Sequence, residues 1–440
     1  MSGQSAESDL LPSLAHRLLA PVDPNARSRA RYHLLDWLGC AVIGRQAEVG
    51  TAFAAYAASD HLRMPEAAAF FWGTLGNALE MDDVDKRALL HPGPTIIPAA
   101  LAMAANTAAT DDALLDAIVR GYEAVIRLGR AVGPGHYALW HNTGTCGSFG
   151  ASAACASLMG MDARDMAHAL ALGVSQSAGF WQTRHEPQSH GKQLHTAHAA
   201  RAGVTAAMLA GAGARGPLSI LDGHQGFFAA TCPGASPSAV LADYGPGWRI
   251  HDVSLKPWPA CRHAHPAIDA ALLANNAGVT VGDVASIEVA TYKDALVFCD
   301  RSAPDSVNGA KFSLQHSVAV AIARGAPTLR DFEMAAVIDP ALAAIRLRVT
   351  VRVSPKLDAA YPAHFGAHLT VHDCFGKTGV FEVPDALGDP ENPLTEEAII
   401  KKARTLMEAA GVNVDQCAAG VSAALEHPTD VPVWLSVVLA

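Results

Sequence analysis

Apolar residues recur every three or four positions along most of the first 255 residues, which places them on one face of successive α-helices. Asp111 and Asp162 stand where helix N-caps are expected, and the glycine-rich segment Gly211–Pro217 is a helix stop. The spacing predicts nine helices: Leu10–Leu19, Ser28–Ile43, Glu66–Glu80, Thr95–Thr107, Ala113–Val132, Gly147–Met159, Ala163–Ser177, Thr196–Ala210 and Leu218–Ala229.

The periodicity then changes to alternation, most clearly over Ile345–Val353, where apolar residues occupy every second position. Alternation with a polar face predicts an antiparallel sheet covered on one side. The predicted strands are Ser286–Tyr292, Ile345–Val353, His368–His372 and Val380–Val383, and the predicted helices are Ala264–Ala277, Ser313–Ile322 and Asp331–Ile338. Residues 256–393 are therefore predicted to form a smaller α+β domain. A last helix, Thr395–Ala410 with Thr395 as its cap, can return to the helical domain.

Composition narrows the picture. The 440 residues are 50% hydrophobic, 17% charged and only 6% aromatic, so small aliphatic residues build a large core and a disordered chain is excluded. The net charge of −10 argues against a nucleic-acid partner, and an anionic substrate would need a local basic pocket.

The location expected from the sequence is the cytoplasm. The N-terminus carries no signal-peptide pattern, and the charge-poor stretch 91–110 opens with prolines, as a buried helix behind a loop and not a membrane span. Eight cysteines are scattered without a C-x-x-C pair, which indicates reduced thiols and argues against a structural zinc or iron–sulfur centre. The match of Gly211–Gly216 to G-x-G-x-x-G follows a helix, so we expect no dinucleotide there. His195 and His198, one helical turn apart, lack flanking carboxylates for a metal.

The segment Leu79–Pro92 is the first candidate for chemistry. Four carboxylates crowd six positions, Glu80, Asp82, Asp83 and Asp85, and His91 follows them. A carboxylate beside a histidine can hold or transfer a proton near neutral pH. The alternative is an exposed acidic helix end with an ordinary loop histidine.

Two further segments contain histidines among glycines. Gly133–Gly150 includes Tyr137 and His141 in a loop rich in hydrogen-bond donors that leads into a helix, where anions are favoured. His185–Arg201 places Lys192 beside a glycine at the head of a helix, where neighbouring cations or burial would lower its pKa. The alternatives are a glycine-rich connection with satisfied histidines and a solvated basic loop.

A fourth segment, Lys256–His265, lies at the predicted domain switch. It could supply Arg262, His263 and His265 to a cleft, and ligand sites favour domain interfaces. The alternative is a proline-rich linker with solvated basic residues.

Together these segments resemble the MmgE/PrpD family, whose members include 2-methylcitrate dehydratase, cis-aconitate decarboxylase and iminodisuccinate epimerase. The stretches that carry the resemblance occur in family order: ALEMDDVDKRALLHPGPTIIPAALA, VGPGHYALWHNTGTCGSFGASAACA, HGKQLHTAHAARAGV, KPWPACRHAHPAIDA and KFSLQHSVAVAIARG. The resemblance implies a mainly α protein: a large all-helical domain of residues 1–255 plus 394–440, with residues 256–393 as an inserted smaller α+β lid domain. It also implies a homodimer that works without metal or organic cofactor.

The family's catalytic positions fall on His91, His141 and Lys192, and its lid histidine falls on His265. Where the family usually has D-F-D-D-(T/S), this chain has Glu80 at the first position and Val84 at the last. These two departures are expected to keep the fold but to change the pocket size and to remove one hydrogen bond, which leaves the specific substrate open. A lid tyrosine of the family has no secure counterpart, and Phe298 or Cys299 lies near its position.

The chemistry shared by the family is proton transfer at a carbon next to a carboxylate. We therefore expect a lyase of the 2-methylcitrate dehydratase type that acts on a small anionic di- or tricarboxylate. The alternatives are an epimerase of the iminodisuccinate type, a decarboxylase, or a non-enzymatic carboxylate-binding protein with a degenerate site. The expected catalytic residues are Glu80, His91, His141 and Lys192, and the expected substrate-binding residues are Asp83, Tyr137, Arg262, His263 and His265.

Overall fold

A computed structural model describes residues 9–57, 64–186 and 188–439. Contacts divide the chain into two compact units. Unit 1 comprises the described residues of Met1–Val253 and Thr395–Ala440, and unit 2 comprises Ser254–Leu394. The described residues are mainly α-helical, as expected.

The first stretch of unit 1 contains α-helices and short 3-10 turns. The helices are α1 (Leu10–Leu18), α2 (Pro24–Gly44), α3 (Glu48–Ala57), α4 (Pro65–Gly76), α5 (Gly93–Thr107), α6 (Asp111–Ala131), α7 (Gly133–Tyr137), α8 (Asn142–Leu158), α9 (Ala163–Val174), α10 (Gly191–Gly211) and α11 (Phe227–Thr231). The 3-10 turns are Trp181–His185, Pro237–Leu241 and Arg249–Asp252.

Capping residues explain where several helices begin. Asp162 accepts hydrogen bonds from the first turn of α9, which confirms it as a cap. The expectation for Asp111 is wrong, because Thr110 caps α6 and Asp111 is already its first residue. Helix α2 begins at Pro24, before the predicted start, because the Asp23 side chain accepts from the first-turn amides.

Three predicted helices differ clearly from the structure. The helix expected over Asp331–Ile338 is a 3-10 turn, Leu329–Phe332, followed by a four-residue helix, Met334–Val337. The helix expected over Glu66–Glu80 ends at Gly76, and Glu80 has a positive φ of 62°, which a helix cannot continue. The helix expected over Leu218–Ala229 is wrong, since turns occupy most of it and only α11 is helical. Gly223 and Gly226 close these turns by donating to the carbonyls of Ser219 and Gly223.

Unit 1 is built by helices that touch through small residues. Gly121 of α6 and Gly150 of α8 face each other, and a Cβ at Gly150 would lie 2.7 Å from the Gly121 carbonyl oxygen. Gly203 of α10 meets α8, where a Cβ would lie 2.6 Å from the Ser152 nitrogen and would overlap the Ala151 side chain. The excess of small residues in the sequence is therefore used at helix crossings.

Unit 2 contains α12 (His265–Asn276), β1 (Val284–Thr291), α13 (Lys293–Cys299), α14 (Val307–Lys311), α15 (Leu314–Arg324), α16 (Met334–Val337), α17 (Pro340–Arg346), β2 (Val349–Val353), α18 (Pro355–Ala360), β3 (Ala367–Asp373) and β4 (Thr378–Val383), with 3-10 turns at Arg262–Ala264 and Leu329–Phe332. The strands form one sheet in the order β2-β1-β3-β4. Helices α12 and α15 pack with the sheet residues into a hydrophobic core of this unit.

The sheet is mixed, and the expectation of an antiparallel sheet is wrong in one pair. Strands β1 and β3, and β3 and β4, are antiparallel, but β1 and β2 are parallel, with Ile287 opposite Val349. A parallel pair needs a long crossover, which the helices between β1 and β2 supply. The strand expected over Ile345–Val353 is also too long, because α17 continues to Arg346.

The last part of unit 1 contains α19 (Glu396–Ala409), α20 (Val414–Glu426) and α21 (Val431–Val438), with a 3-10 turn at Pro428–Asp430. Thr395 caps α19, as expected, by accepting from the Ala398 amide. Helix α19 lies against α2 so closely that a Cβ at Gly39 would lie 2.9 Å from the Ala403 Cα. None of the helices described here is long and apolar enough to cross a bilayer.

The α8–α10 crossing gives a test of this packing. Gly203→Ala should lower the free energy of unfolding by about 1–3 kcal/mol, because the new Cβ overlaps backbone that cannot move aside. Gly282→Ala is the control, since the nearest atom to its Cβ would be 3.8 Å away. Urea unfolding measures both variants. Equal midpoints for the two variants would contradict the close crossing.

Candidate active site

The acidic segment after α4 is buried, so the alternative of an exposed helix end does not hold. Glu80, Asp82, Asp83 and Asp85 are at most 7% exposed. A buried carboxylate is costly unless a cation or hydrogen-bond donors compensate its charge. Each of the four has its own set of partners in unit 1.

Asp83 fixes the segment to the core. One carboxylate oxygen lies 2.7 Å from His33 Nδ1 and accepts from the Tyr122 hydroxyl at 2.7 Å. The other accepts from the Gly93 amide at 2.8 Å. Burial lowers the pKa of His33 to about 4 and raises the pKa of Tyr122 well above its ordinary value. Both carboxylate oxygens of Asp83 therefore bond to groups of the protein itself.

Two more anchors hold the loop. Asp85 pairs with Arg130 at 2.5 Å and accepts from the Ala88 amide at 2.7 Å. Lys402, on α19, donates to the Met81 carbonyl at 2.7 Å and to Asp36 at 2.6 Å. The C-terminal part of the chain thus supplies a cation that fixes the backbone between Glu80 and Asp82.

His91 is held by acceptors at its Nδ1. This atom lies 2.9 Å from the Asp82 carboxylate and 3.0 Å from the Asp83 carbonyl oxygen. Because both partners can only accept, Nδ1 carries a proton. Asn77 donates to the same Asp82 oxygen at 2.8 Å, and the His91 amide donates to the Thr143 hydroxyl at 3.0 Å.

Lys192 stands in the first turn of α10 and donates to Glu80 Oε1 at 2.5 Å. Its side chain is 18% exposed and that of Glu80 is 9% exposed. An ion pair this close keeps the lysine as an ammonium ion. The left-handed backbone at Glu80, unfavourable for a residue with a Cβ, directs this carboxylate away from the line of the preceding helix.

His141 is the cap residue of α8 and is 1% exposed. Its Nδ1 lies 3.2 Å from His195 Nδ1, and its ring packs on Trp181 at 4.5 Å between centroids. Its Nε2 is buried, and no hydrogen-bonding atom within residues 9–57, 64–186 and 188–439 reaches it. A buried ring nitrogen without such a partner is suited to meet a ligand atom.

The electrostatics keep both histidines neutral. Burial, followed by the charges of His195, Lys192 and His91, lowers the pKa of His141 well below its ordinary value of 6.5. Burial, His198 and Lys192 lower the pKa of His195 to about 4. At neutral pH each ring therefore has one proton and one free electron pair.

These contacts connect the expected catalytic residues in one place. Glu80 meets Lys192, His195 lies one turn after Lys192 on α10 and meets His141, and α8 returns to His91 through Thr143. We define the acid–base cluster as Glu80, Asp82, His91, His141, Lys192 and His195. His91, His141, Lys192 and Glu80 are thus all brought together within unit 1.

The neighbouring loop residues behave differently. Both ring nitrogens of His136 have partners, the Thr231 carbonyl at 3.0 Å and the Thr145 hydroxyl at 2.8 Å, so this histidine is structural. Tyr137 packs edge-on against Trp181 at 5.6 Å, which places it beside the ring that covers His141.

Each of the three predicted substrate-binding residues of unit 2 contacts another group within unit 2. Arg262 forms an ion pair with the buried Asp389. His263 stacks on Phe298 at 4.9 Å, and burial, then Arg262, lowers its pKa to about 3, so it is neutral. His265 lies 3.1 Å from the Ala260 carbonyl through Nε2.

His263 has a second contact that the sequence did not indicate. Its Nδ1 lies 2.9 Å from the hydroxyl of the fully buried Tyr292, and the Tyr292 ring stacks on Tyr361 at 4.5 Å. Phe298, near which the family tyrosine was sought, supplies only an aromatic face.

Sequence reasoning missed Lys402, named Asp82 only as one of the four carboxylates of the acidic segment, and considered His195 only as a metal ligand. His195 was identifiable, because a residue three after Lys192 shares its helix face.

A possible ligand set for a cation, His364, Asp385 and Glu391, lies in unit 2 at partly exposed positions, and the described residues of the acid–base cluster do not form such a set.

The Lys402 anchor gives a stability test. Lys402→Met should cost about 3–5 kcal/mol at pH 8, because it leaves the Asp36 carboxylate buried without its cation. Burial already raises the pKa of Asp36 to about 6 against the effect of Lys402, so without the lysine the carboxyl is neutral at pH 5 and the loss should shrink there. Urea unfolding at both pH values measures this, with Lys401→Met on the exposed face as control. Equal stability of the two variants at pH 8 would refute the anchor.

Comparison with known proteins shows the family to which this chain belongs. The chain is 25% identical to "Cis-aconitate decarboxylase-like protein oryM" of Aspergillus oryzae over 86% of this chain and 85% of that protein. It is 25% identical to cis-aconitate decarboxylase of Homo sapiens over 86% and 82%. It is 28% identical to 2-methylcitrate dehydratase of Cupriavidus necator over 48% and 45%. The MmgE/PrpD N-terminal domain model matches residues 15–239 and the C-terminal domain model matches residues 258–426, so the chain belongs to the MmgE/PrpD family.

Proposed function

We propose that this protein is an enzyme that moves a proton at a carbon next to a carboxylate of a small di- or tricarboxylate, and that it acts as a lyase that eliminates water. The observation that carries the proposal is the buried Nε2 of a neutral His141 beside the charged Lys192. The names of the relatives, a dehydratase and two decarboxylase-type proteins, support this class of substrate.

His141 is the base in this proposal. A carbon acid next to a carboxylate is weak, so its base must be unprotonated and close to a stabilising cation. The depressed pKa of His141 provides the unprotonated ring. Lys192 is a poorer base, because Glu80 holds it as an ammonium ion.

Lys192 supplies the cation. When the C–H bond breaks, its electron pair moves onto the adjacent carboxylate as an enediolate, and an ammonium ion lowers the energy of that dianion. The Glu80 partner fixes the position of Nζ, so little reorganisation is needed in the transition state. The glutamate found where the family usually has aspartate therefore still performs a positioning role in the proposal.

His91 is the acid. Asp82 and the Asp83 carbonyl hold its Nδ1, and in the proposal its Nε2 delivers the proton. In dehydration, the enediolate electrons form the C=C bond, the C–O bond breaks, and the leaving hydroxyl takes the His91 proton to become water. His141 ends with one proton more and His91 with one fewer, and exchange with solvent restores both.

Decarboxylation is the second candidate. The two relatives named for it match this chain over 86% of its length, whereas the dehydratase matches 48%. In that reaction a C–C bond breaks, CO₂ leaves, and the carbon takes a proton from the acid. The same cation and acid serve both reactions, and the base is needed only for dehydration, so product analysis must decide.

The remaining expectations are part of the proposal. Tyr137, Arg262 and His265 are proposed to bind substrate carboxylates, whereas Asp83 positions the loop and the neutral His263 contributes no charge. We propose that the enzyme is a cytoplasmic homodimer that needs no cofactor and has no nucleic-acid or membrane partner.

The first test is incubation with a panel of di- and tricarboxylates in D₂O, followed by NMR. An unsaturated product supports dehydration, and loss of one carbon with deuterium at the remaining one supports decarboxylation. Deuterium in an unchanged skeleton supports the epimerase alternative. Thermal stabilisation by a carboxylate without any exchange would refute an enzyme and leave a binding protein.

Variants test the assignment of the base. His141→Gln should lower turnover of the active substrate by on the order of 10²–10⁴, because the amide cannot accept the proton. His168→Gln is the matched control, since His168 is 8% exposed and its Nδ1 contacts the Gly216 carbonyl. Steady-state kinetics measure both variants. Turnover of His141→Gln equal to that of the control would exclude His141 as the base.

The pH profile gives an independent prediction. The acid limb of kcat/KM should lie below pH 6.5, because protonation removes the base and burial with nearby cations lowers the pKa of His141. Lys192→Gln removes one of those cations, so the limb of its residual activity should move upward. A limb unchanged by that substitution would show that another group controls the profile.

A further inference from the structure

The contact between His141 and His195 joins two nitrogens of the same kind. Both are Nδ1 atoms, 3.2 Å apart, on rings tilted by 49°. Both rings are neutral at pH 7, so a single proton lies between the two nitrogens. One histidine donates from Nδ1, and the other accepts at Nδ1.

The proposed base requires one of these two arrangements. If His141 Nε2 is to accept a proton, the ring's own proton must be on Nδ1 and must point at His195. His195 then accepts at Nδ1 and has its proton on Nε2. In the opposite arrangement His141 Nε2 carries the proton and cannot act as a base.

The two rings also differ in exposure. His141 is 1% exposed, and no described hydrogen-bonding group reaches its Nε2. His195 is partly exposed. A proton that arrives at the buried Nε2 can therefore leave through the pair more easily than by opening the ring to water.

We propose that His195 is the positioning and relay residue of the base, which holds His141 in its Nδ1–H form and carries its proton to solvent. As His141 Nε2 gains the substrate proton, the Nδ1–H bond breaks and the proton passes to His195 Nδ1. His195 then loses its Nε2 proton to water. Each ring gains one proton and loses one while the product is still bound. After the product leaves, His195 Nε2 takes a proton from water, the Nδ1 proton of His195 returns to His141 Nδ1, and His141 Nε2 releases its proton to the water that enters, which restores the starting tautomers. This inference rests on the proposed function.

The surroundings of His195 suit a relay. Lys192 lies one turn before it on α10 and His198 one turn after it, and both disfavour the cationic ring, so the imidazolium form gives up its proton readily. His198 itself bonds to the Gln176 carbonyl at 3.0 Å. Because His198 acts on His195, the control is a histidine outside the pair, His168, whose Nδ1 lies 3.1 Å from the Gly216 carbonyl.

The kinetic experiment uses three substitutions with the substrate found in the D₂O panel. In His195→Asn the amide oxygen replaces Nδ1 as acceptor, so the tautomer is kept but no proton can pass. We expect its rate of substrate deuteration to fall by on the order of 10². In His195→Ala added imidazole should restore much of the rate, and His168→Asn should stay near wild type. A His195→Asn rate within about twofold of wild type would overturn the relay, as would imidazole that accelerates His195→Ala no more than wild type.

A substrate-free experiment separates this inference from the proposed function. ¹⁵N NMR of histidine-labelled protein distinguishes a protonated from an unprotonated ring nitrogen. We expect His141 to be protonated at Nδ1 in wild type and in His195→Asn, and to lose this preference in His195→Ala. A wild-type His141 protonated at Nε2 would overturn the positioning role. If no compound in the panel exchanges, the proposed function fails, and the NMR result still tests the histidine pair.

Discussion

Four buried carboxylates in six residues set the strongest constraint on this structure. Each must be compensated, and the compensating groups come from distant parts of unit 1. Asp83 is bonded to His33 and Tyr122, Asp85 is paired with Arg130, and Glu80 is paired with Lys192. The loop is therefore a rigid part of the core, although it contains no regular structure. Such rigidity is what a proton-transfer site needs, because small displacements of acid or base are costly.

The small residues at the helix crossings also help to fix the positions of the acid–base cluster. The contact between Gly203 and the backbone of α8 brings α8 and α10 together as closely as backbone permits. The two helices carry His141 and Lys192 with His195 at their first turns. Bulkier residues at the crossing would separate the starts of the helices and open the 3.2 Å contact between the two histidines. The geometry of the acid–base cluster thus depends on the close packing of α8 and α10.

The sequence predicts much of the fold and several residues of the acid–base cluster. Helical periodicity located most of the helices of unit 1, and the motifs located His91, His141 and Lys192. Lys402 was not predictable, because nothing in the local pattern of α19 reveals which residues it will meet in space. The parallel pairing of β2 was missed because alternation specifies a strand and one buried face, but not its direction. The glycines at 223 and 226 could have excluded the helix over Leu218–Ala229.

The electrostatics of the cluster resolve an apparent conflict between the two tasks proposed for it. Stabilising an enediolate requires positive charge, but positive charge also weakens a neighbouring base by lowering its pKa. In this cluster the charge is on Lys192, whose ammonium is paired with Glu80, while the proposed base is a histidine made neutral by burial. Such a base is weak in its ground state, yet the substrate's own negative charge offsets the cations that depress it. Binding of a carboxylate would therefore raise the basicity of His141 at the moment it is needed, so that the substrate itself completes the site.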